Sequence, residues 1–226
     1  MTTPRPVPVL PAQGRRVAFV GKGGAGKSTL LSHFLPHWKK LGVPCVGIDT
    51  DVPGDDEHGT LYVHAAQTDF GVPVYPAPVP GQIRNEAQRL CPEKGLCALD
   101  TGAWERKKDG PHLPVVSAVD WLMLCMQPTG NELERAASVL GYVQQLKDTG
   151  APAPELAIVL TMVGQSSAAN DVEEELSSAG YLVLRNRYKF STALDGPAHT
   201  FGRDIKVRGG SDIDLLAREV LDVVAR

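Results

Sequence analysis

A glycine-rich loop, Gly21-Lys22-Gly23-Gly24-Ala25-Gly26-Lys27-Ser28-Thr29, constrains this chain more than any other feature. It follows the apolar run Val17-Ala18-Phe19-Val20 and leads into a helical pattern. Gly21, Gly26, Lys27 and Ser28 stand at the spacing of a phosphate-binding P-loop set between a strand and a helix. Glycines let the backbone curl round an anion with its N–H groups turned inward, and a helix starting near Lys27 adds its positive end. In such a loop Lys27 reaches the β- and γ-phosphates and the Ser28 hydroxyl ligates Mg2+. The loop therefore implies a bound nucleotide.

Short apolar runs alternate with helical patterns along the rest of the chain, the signature of a parallel sheet covered by helices. Strands are expected at Val17–Val20, Cys45–Ile48, Leu96–Leu99, Trp121–Met126, Leu156–Leu160 and Tyr181–Leu184. Helices are expected near Lys27–Lys40, Gln82–Leu90, Asn131–Lys147, Asp171–Ala179 and Asp212–Val224. Pro36 should kink or shorten the first of these. Four prolines between Gly71 and Gly81 leave room for a short edge strand only. Residues 52–59 read as an acidic loop and 103–114 as a polar, mobile stretch. The last helix carries Ile213, Leu215, Leu216, Val220, Leu221 and Val224 at helical spacing. The fold class is α/β, a doubly wound, mostly parallel sheet with helices on both faces and its ligand at the C-terminal strand ends.

At 226 residues, with 42% hydrophobic and 22% charged residues, the chain fits one P-loop domain over 15–226 behind a loose, proline-rich arm over 1–14. The arm lacks the apolar centre of a secretory signal, and no apolar run approaches membrane-spanning length. Cys45, Cys91, Cys97 and Cys125 are scattered, as suits reduced thiols in a cytosol.

Two further sets of charges stand out. Asp100 ends the run Gly95-Leu96-Cys97-Ala98-Leu99 and has the place of a carboxylate that holds Mg2+ through water. Asp49 and Asp51 end the preceding strand. The net charge is −3, yet Arg185, Arg187, Lys189, Arg203, Lys206 and Arg208 face only Asp195 and Asp204 between them, a local balance of +4. Such a patch can hold phosphate backbones on an acidic protein.

Lys22, at the start of the loop, is a second lysine that a common P-loop does not need. The string Lys22-Gly23-Gly24-Ala25-Gly26-Lys27-Ser28 resembles the deviant Walker A motif of the ParA/MinD/nitrogenase-iron-protein superclass of ATPases. The resemblance extends through Asp100-Thr101-Gly102-Ala103, Ser117-Ala118-Val119-Asp120 and Gln127-Pro128-Thr129 to Leu194-Asp195-Gly196-Pro197. It is nearest to small, ParF-like DNA-partition proteins, which lack an N-terminal DNA-reading domain. It implies ATP or ADP with Mg2+, and a homodimer in which Lys22 touches the partner's phosphates. Asp51 then positions the attacking water and Asp49 is a second acid near the metal. The family's usual Asp-x-Asp-Pro-Gln appears here as Asp49-Thr50-Asp51-Val52-Pro53-Gly54, with an inserted valine and no glutamine.

The resemblance implies ATP-driven dimerisation, nonspecific DNA binding through the basic cluster, a ParB-type adaptor and a cytoplasmic, nucleoid-associated location. Two neighbouring readings share the fold. An accessory ATPase of conjugative transfer is suggested by Gly202-Arg203-Asp204. A metallochaperone would need metal at Cys91 and Cys97, whose spacing fits no zinc or cluster motif, or at His33 and His37. A membrane switch would need a basic amphipathic tail, whereas residues 211–226 carry a balance of −2, so this helix is expected on the sheet and no membrane is expected as a partner.

Overall fold

The central strand β1 (Arg15–Gly21) owes its place to two uninterrupted parallel ladders. It pairs with β4 (Leu96–Asp100) on one side and β5 (Trp121–Met126) on the other. Outward from β4 lie β2 (Cys45–Asp49) and β3 (Val74–Pro76); outward from β5 lie β6 (Glu155–Leu160) and β7 (Leu182–Val183). The order is β3-β2-β4-β1-β5-β6-β7, and every pairing is parallel. The sheet is thus wholly parallel rather than mostly so. The computed structural model describes residues 6–51, 59–76, 79–104, 112–164, 167–189 and 205–226.

Parallel strands need covering on both faces, and the alternation along each strand supplies two cores. Val17 and Phe19 of β1 face one layer, with α1 (Lys27–Lys40), α2 (Thr60–Gln67) and α7 (Asp212–Val224). Ala18 and Val20 face the other, with α3 (Ile83–Leu90), α4 (His112–Val116), α5 (Gly130–Asp148) and α6 (Ala168–Ser178). β5 divides likewise: Trp121, Met123 and Cys125 point to the first layer, Leu122, Leu124 and Met126 to the second. Helices on both faces of a parallel sheet put the loop ends of β1, β4 and β5 at the topological switch point.

Four expectations need correction. Pro36 neither kinks α1 into two nor shortens it; the helix spans Lys27–Lys40 with Pro36 inside. Trp38, fully buried, anchors its last turn by donating Nε1–H to the Ala217 carbonyl at 3.0 Å. This contact, with His37 Nε2 2.7 Å from Asp214 Oδ1, ties α1 to α7 and holds the helix through the missing proline N–H. Of the loop expected at 52–59 all but Gly59 lies outside the described residues; the helix α2, which starts at Thr60, was not anticipated. Part of the polar stretch at 103–114 enters α4. In α7, Leu215 points outward, 42% exposed, while its other predicted apolar residues are buried.

The proline-rich arm is expected loose, yet residues 6–14 lie on the body of the chain. Leu10 is 3% exposed within the first core, and Lys94 N donates to the Ala12 carbonyl at 3.2 Å. Leu10→Ala is therefore expected to cost about 2–3 kcal/mol in urea denaturation of the chain; a loose arm would leave the midpoint unchanged.

Candidate active site

The loop leaves β1 through Gly21, whose φ is +146°; a Cβ there would stand 2.2 Å from the Cys125 carbonyl oxygen of β5. Only glycine lets β1 turn out so close to its neighbour. At the far end Gly26 caps α1 with φ +82°, against Met162 Cε and the Tyr188 ring, each 3.3 Å from where a Cβ would be. α1 then begins at Lys27, so its unsatisfied N–H groups and positive end point into the loop.

Lys27 is 6% exposed and turned back on its own loop, with Nζ donating to the Gly21 carbonyl at 3.3 Å and the Lys22 carbonyl at 3.0 Å. Asp100 ends β4 beside it, fully buried. Thr50 N and Oγ1 donate to its carbonyl oxygen at 2.8 and 2.6 Å, but neither side-chain oxygen has a hydrogen-bond partner. Burial and then the neighbouring Asp49 push its pKa up to about 7, against the pull of the Ser28 hydroxyl and Lys27. A buried carboxylate whose side-chain oxygens accept no hydrogen bond from the chain fits a metal-bound water. The oxygen-only set of Ser28 and Asp100 fits Mg2+, which keeps most of its waters.

Asp49 has both oxygens engaged: Oδ1 accepts from Asp51 N at 3.0 Å and Oδ2 from Tyr62 N at 2.8 Å. It thus caps the first turn of α2 and fixes the start of the following loop. Burial raises its pKa, offset by those amides. Asp51 is half-buried, its carboxylate against Gly102; a Cβ on that glycine would come 2.6 Å from Oδ1. Sequence reasoning named Asp49, Asp51, Asp100, Lys27 and Ser28, and the strand ends bring them together.

Lys22 takes a different course. Its ammonium lies 3.0 Å from Glu132 Oε1, in the first turn of α5. Glu132, 4% exposed, was not anticipated; its one sequence signal was its place behind Gln127-Pro128-Thr129. Trp104 N donates to the Gly21 carbonyl at 2.9 Å, and the Trp104 ring lies 6.5 Å from that of Tyr142. This tryptophan is packed against the loop rather than projecting from it.

The basic cluster is partly spent on internal pairs. Arg187 is bound to Glu173 and, at 2.8 Å, to Asn170; Lys189 lies 3.2 Å from Asp212. Along 205–208, Ile205 and Val207 pack on the core while Lys206 and Arg208 point out, and Arg185 is exposed. Arg203, Asp195 and Asp204 lie outside the described residues, as do 52–54, 194–197, Gly202 and Arg106–Lys108. Cys97 is buried within β4 and Cys91 half-buried, and His33 and His37 each have a separate partner, the Thr29 carbonyl and Asp214. Among the described residues no group of three or more His, Cys, Asp or Glu is placed so that it could hold a metal ion by itself.

No family model and no curated protein matches the sequence. Solved structures do match. Cobyrinic acid a,c-diamide synthase from Mycobacterium smegmatis, solved with an ATP analogue and magnesium, has a TM-score of 0.66 at 15% identity, over 92% of this chain and 93% of that one. A ParA family ATPase from Chlorobium tepidum TLS has a TM-score of 0.61 at 18% identity, over 92% and 97%. The fold is that of the ParA/MinD ATPases. The MinD cell division protein of Aquifex aeolicus is similar too, with a TM-score of 0.66 at 13% identity, over 93% and 96%. Among the described residues no helix is long and apolar enough to cross a membrane.

A proton on Asp100 has a measurable consequence in the nucleotide-free chain. Between pH 4 and pH 7 the folded chain holds a proton that the unfolded chain releases, so stability from this group falls as pH rises to about 7 and is level above it. Asp100→Asn is expected to remove that slope and raise Tm by about 5 °C at pH 8 in metal-free buffer. An unchanged melting curve across pH 4–8 would show that Asp100 is not strained by burial.

Proposed function

We propose that this chain is a Mg2+-dependent ATPase of the ParA type that pairs with a second copy on ATP, binds DNA without sequence preference and drives partition of a plasmid or chromosome. The observation that carries the reading is a two-lysine P-loop opening beside a fully buried, unpartnered carboxylate, Asp100, at the adjoining strand end. The ParA/MinD fold supports it, as do relatives of that fold solved with ATP analogue or ADP and magnesium.

The amides of residues 21–29 and the α1 N-terminus bind the phosphates, and Lys27 leaves its loop carbonyls for the β- and γ-oxygens. Mg2+, when bound, neutralises charge on those oxygens. Ser28 and Asp100 are the residues that would hold it, with Asp49 nearby as the anchor of α2. Asp51 orients a water in line with the γ-phosphorus. Its oxygen forms the new P–O bond as the bond to the β-phosphate bridging oxygen breaks, giving ADP and phosphate. Lys22 of the second copy meets the charge spread over the transferred group, as an arginine finger does. Catalysis is positioning and electrostatics throughout.

Arg185, Lys206 and Arg208 face outward and offer their charge to the DNA backbone, a role this reading also gives to Lys189, Arg187 and Arg203. A ParB-type adaptor and a cytoplasmic, nucleoid-associated location complete this reading. The metallochaperone alternative has no such support, since Cys97 sits inside the sheet with its thiol pKa raised by burial.

Asp51→Ala is expected to bind ATP, slow turnover about 100-fold or more and prolong the ATP dimer in light scattering. Lys22→Ala is expected to stay monomeric with ATP; a normal dimer would remove its role across the interface. DNA retention should require ATP and weaken steeply between 50 and 200 mM salt, with Lys206→Ala and Arg208→Ala each lowering the log–log slope by about one. Binding equal with ATP, ADP and no nucleotide would overturn the partition reading.

A further inference from the structure

Both loop lysines are turned onto acceptors of their own chain. Lys27 Nζ donates to the carbonyls of Gly21 and Lys22, and Lys22 Nζ sits 3.0 Å from Glu132 Oε1. The Lys22 side chain is 44% exposed, the Glu132 side chain 5%. An ammonium held in this way on α5 of its own chain is not presented to a second copy. Glu132 lies in the first turn of α5, next to the positive end of that helix. A buried negative charge beside a phosphate cradle opposes an incoming anion unless a cation sits against it.

From this geometry we propose that the Lys22–Glu132 pair is a latch that keeps the nucleotide-free chain single and sets the threshold for ATP-driven pairing. The inference rests on the role across the dimer proposed for Lys22. Release is coupled to the nucleotide through Lys27. When phosphate oxygens draw its ammonium away, the Lys22 carbonyl loses the donor 3.0 Å from it, and the backbone that carries Lys22 is free to shift. The Lys22 side chain then exchanges Glu132 for the partner's phosphates. The exchange costs Glu132 a cationic neighbour, so pairing waits for ATP rather than occurring with the empty loop. Trp104 reports the state: it lines the same small cavity as Lys22, Glu132 and Gly21, and its backbone N–H donates to the Gly21 carbonyl.

The test uses the full chain with a non-hydrolysable ATP analogue. Glu132→Gln keeps the shape and removes the charge, and Glu132→Leu removes both charge and polarity in a similar volume. Each is expected to lower the dimer dissociation constant about tenfold relative to wild type in light scattering, with a cooperative melt as the check on folding. Trp104 emission should shift when wild type takes up the analogue and should start at the shifted position in Glu132→Gln, with Trp104→Phe assigning the signal. The double variant Lys22→Ala/Glu132→Gln should remain monomeric. A wild-type dimer with an equal or weaker dimer in both Glu132 variants would overturn the latch and leave the role of Lys22 across the interface standing. No dimer in wild type or either variant would overturn that role, and the latch with it.

Discussion

The parallel pairing of β1 with β4 on one side and β5 on the other sets the position of every charged group in the site. The register places Phe19 opposite Asp100 and Gly21 opposite Cys125, while β2 runs level with β4 so that Asp49 lies opposite Asp100. β2 and β4 thereby finish level with Phe19, two residues before β1 ends at Gly21. The side chains that follow each strand meet over the loop without any long-range adjustment. Short polar ties hold that height: Thr50 to the Asp100 carbonyl, Thr101 Oγ1 to the Phe19 carbonyl at 2.8 Å, and Trp104 to the Gly21 carbonyl. A shift of one residue in either ladder would move Asp100 to the opposite face and separate it from Ser28 and Lys27.

The charges so gathered are balanced for a ligand and poorly balanced without one. No hydrogen bond reaches the Asp100 side-chain oxygens, and burial with the neighbouring Asp49 raises its pKa to about 7. Lys27 uses loop carbonyls in place of phosphate oxygens, and Lys22 uses Glu132. The loop carbonyls are weaker partners for Lys27 than phosphate oxygens would be, since charge-assisted contacts exceed contacts to neutral carbonyls. The loop is thus tied to β4 and β2 through its acids and to α5 through Glu132, three elements that meet at one place.

Local pattern made much of this legible. The two-lysine loop, the apolar runs ending in Asp49 and Asp100, and the helical spacing of α7 all depend on residues within a few positions of one another. The readings that missed share a different character. Pro36 argued for a break in α1, but a proline penalty of about 3 kcal/mol is outweighed when Trp38 and His37 are gripped by a helix some 180 residues away. The arm was read from its prolines alone, whereas Leu10 finds a core assembled from distant elements. α2 has glycine, Gly59, at its N-cap and no side-chain cap from its own turn; its capping carboxylate, Asp49, belongs to the preceding strand.

By itself the sequence determined the α/β class, the loop, the acids at the strand ends and the short edge strand, because backbone propensity and hydrophobic period act locally. Only the tertiary structure decided which charges meet. Glu132 follows Lys22 by more than a hundred residues, and Arg187 and Lys189 spend their charge on Glu173 and Asp212 from other helices. Ion pairs of this kind have no period to read, since they arise from strand order and helix docking. Strand order is also what carried the loop from a phosphate-binding motif to a site with Asp100 on one side and Glu132 on the other.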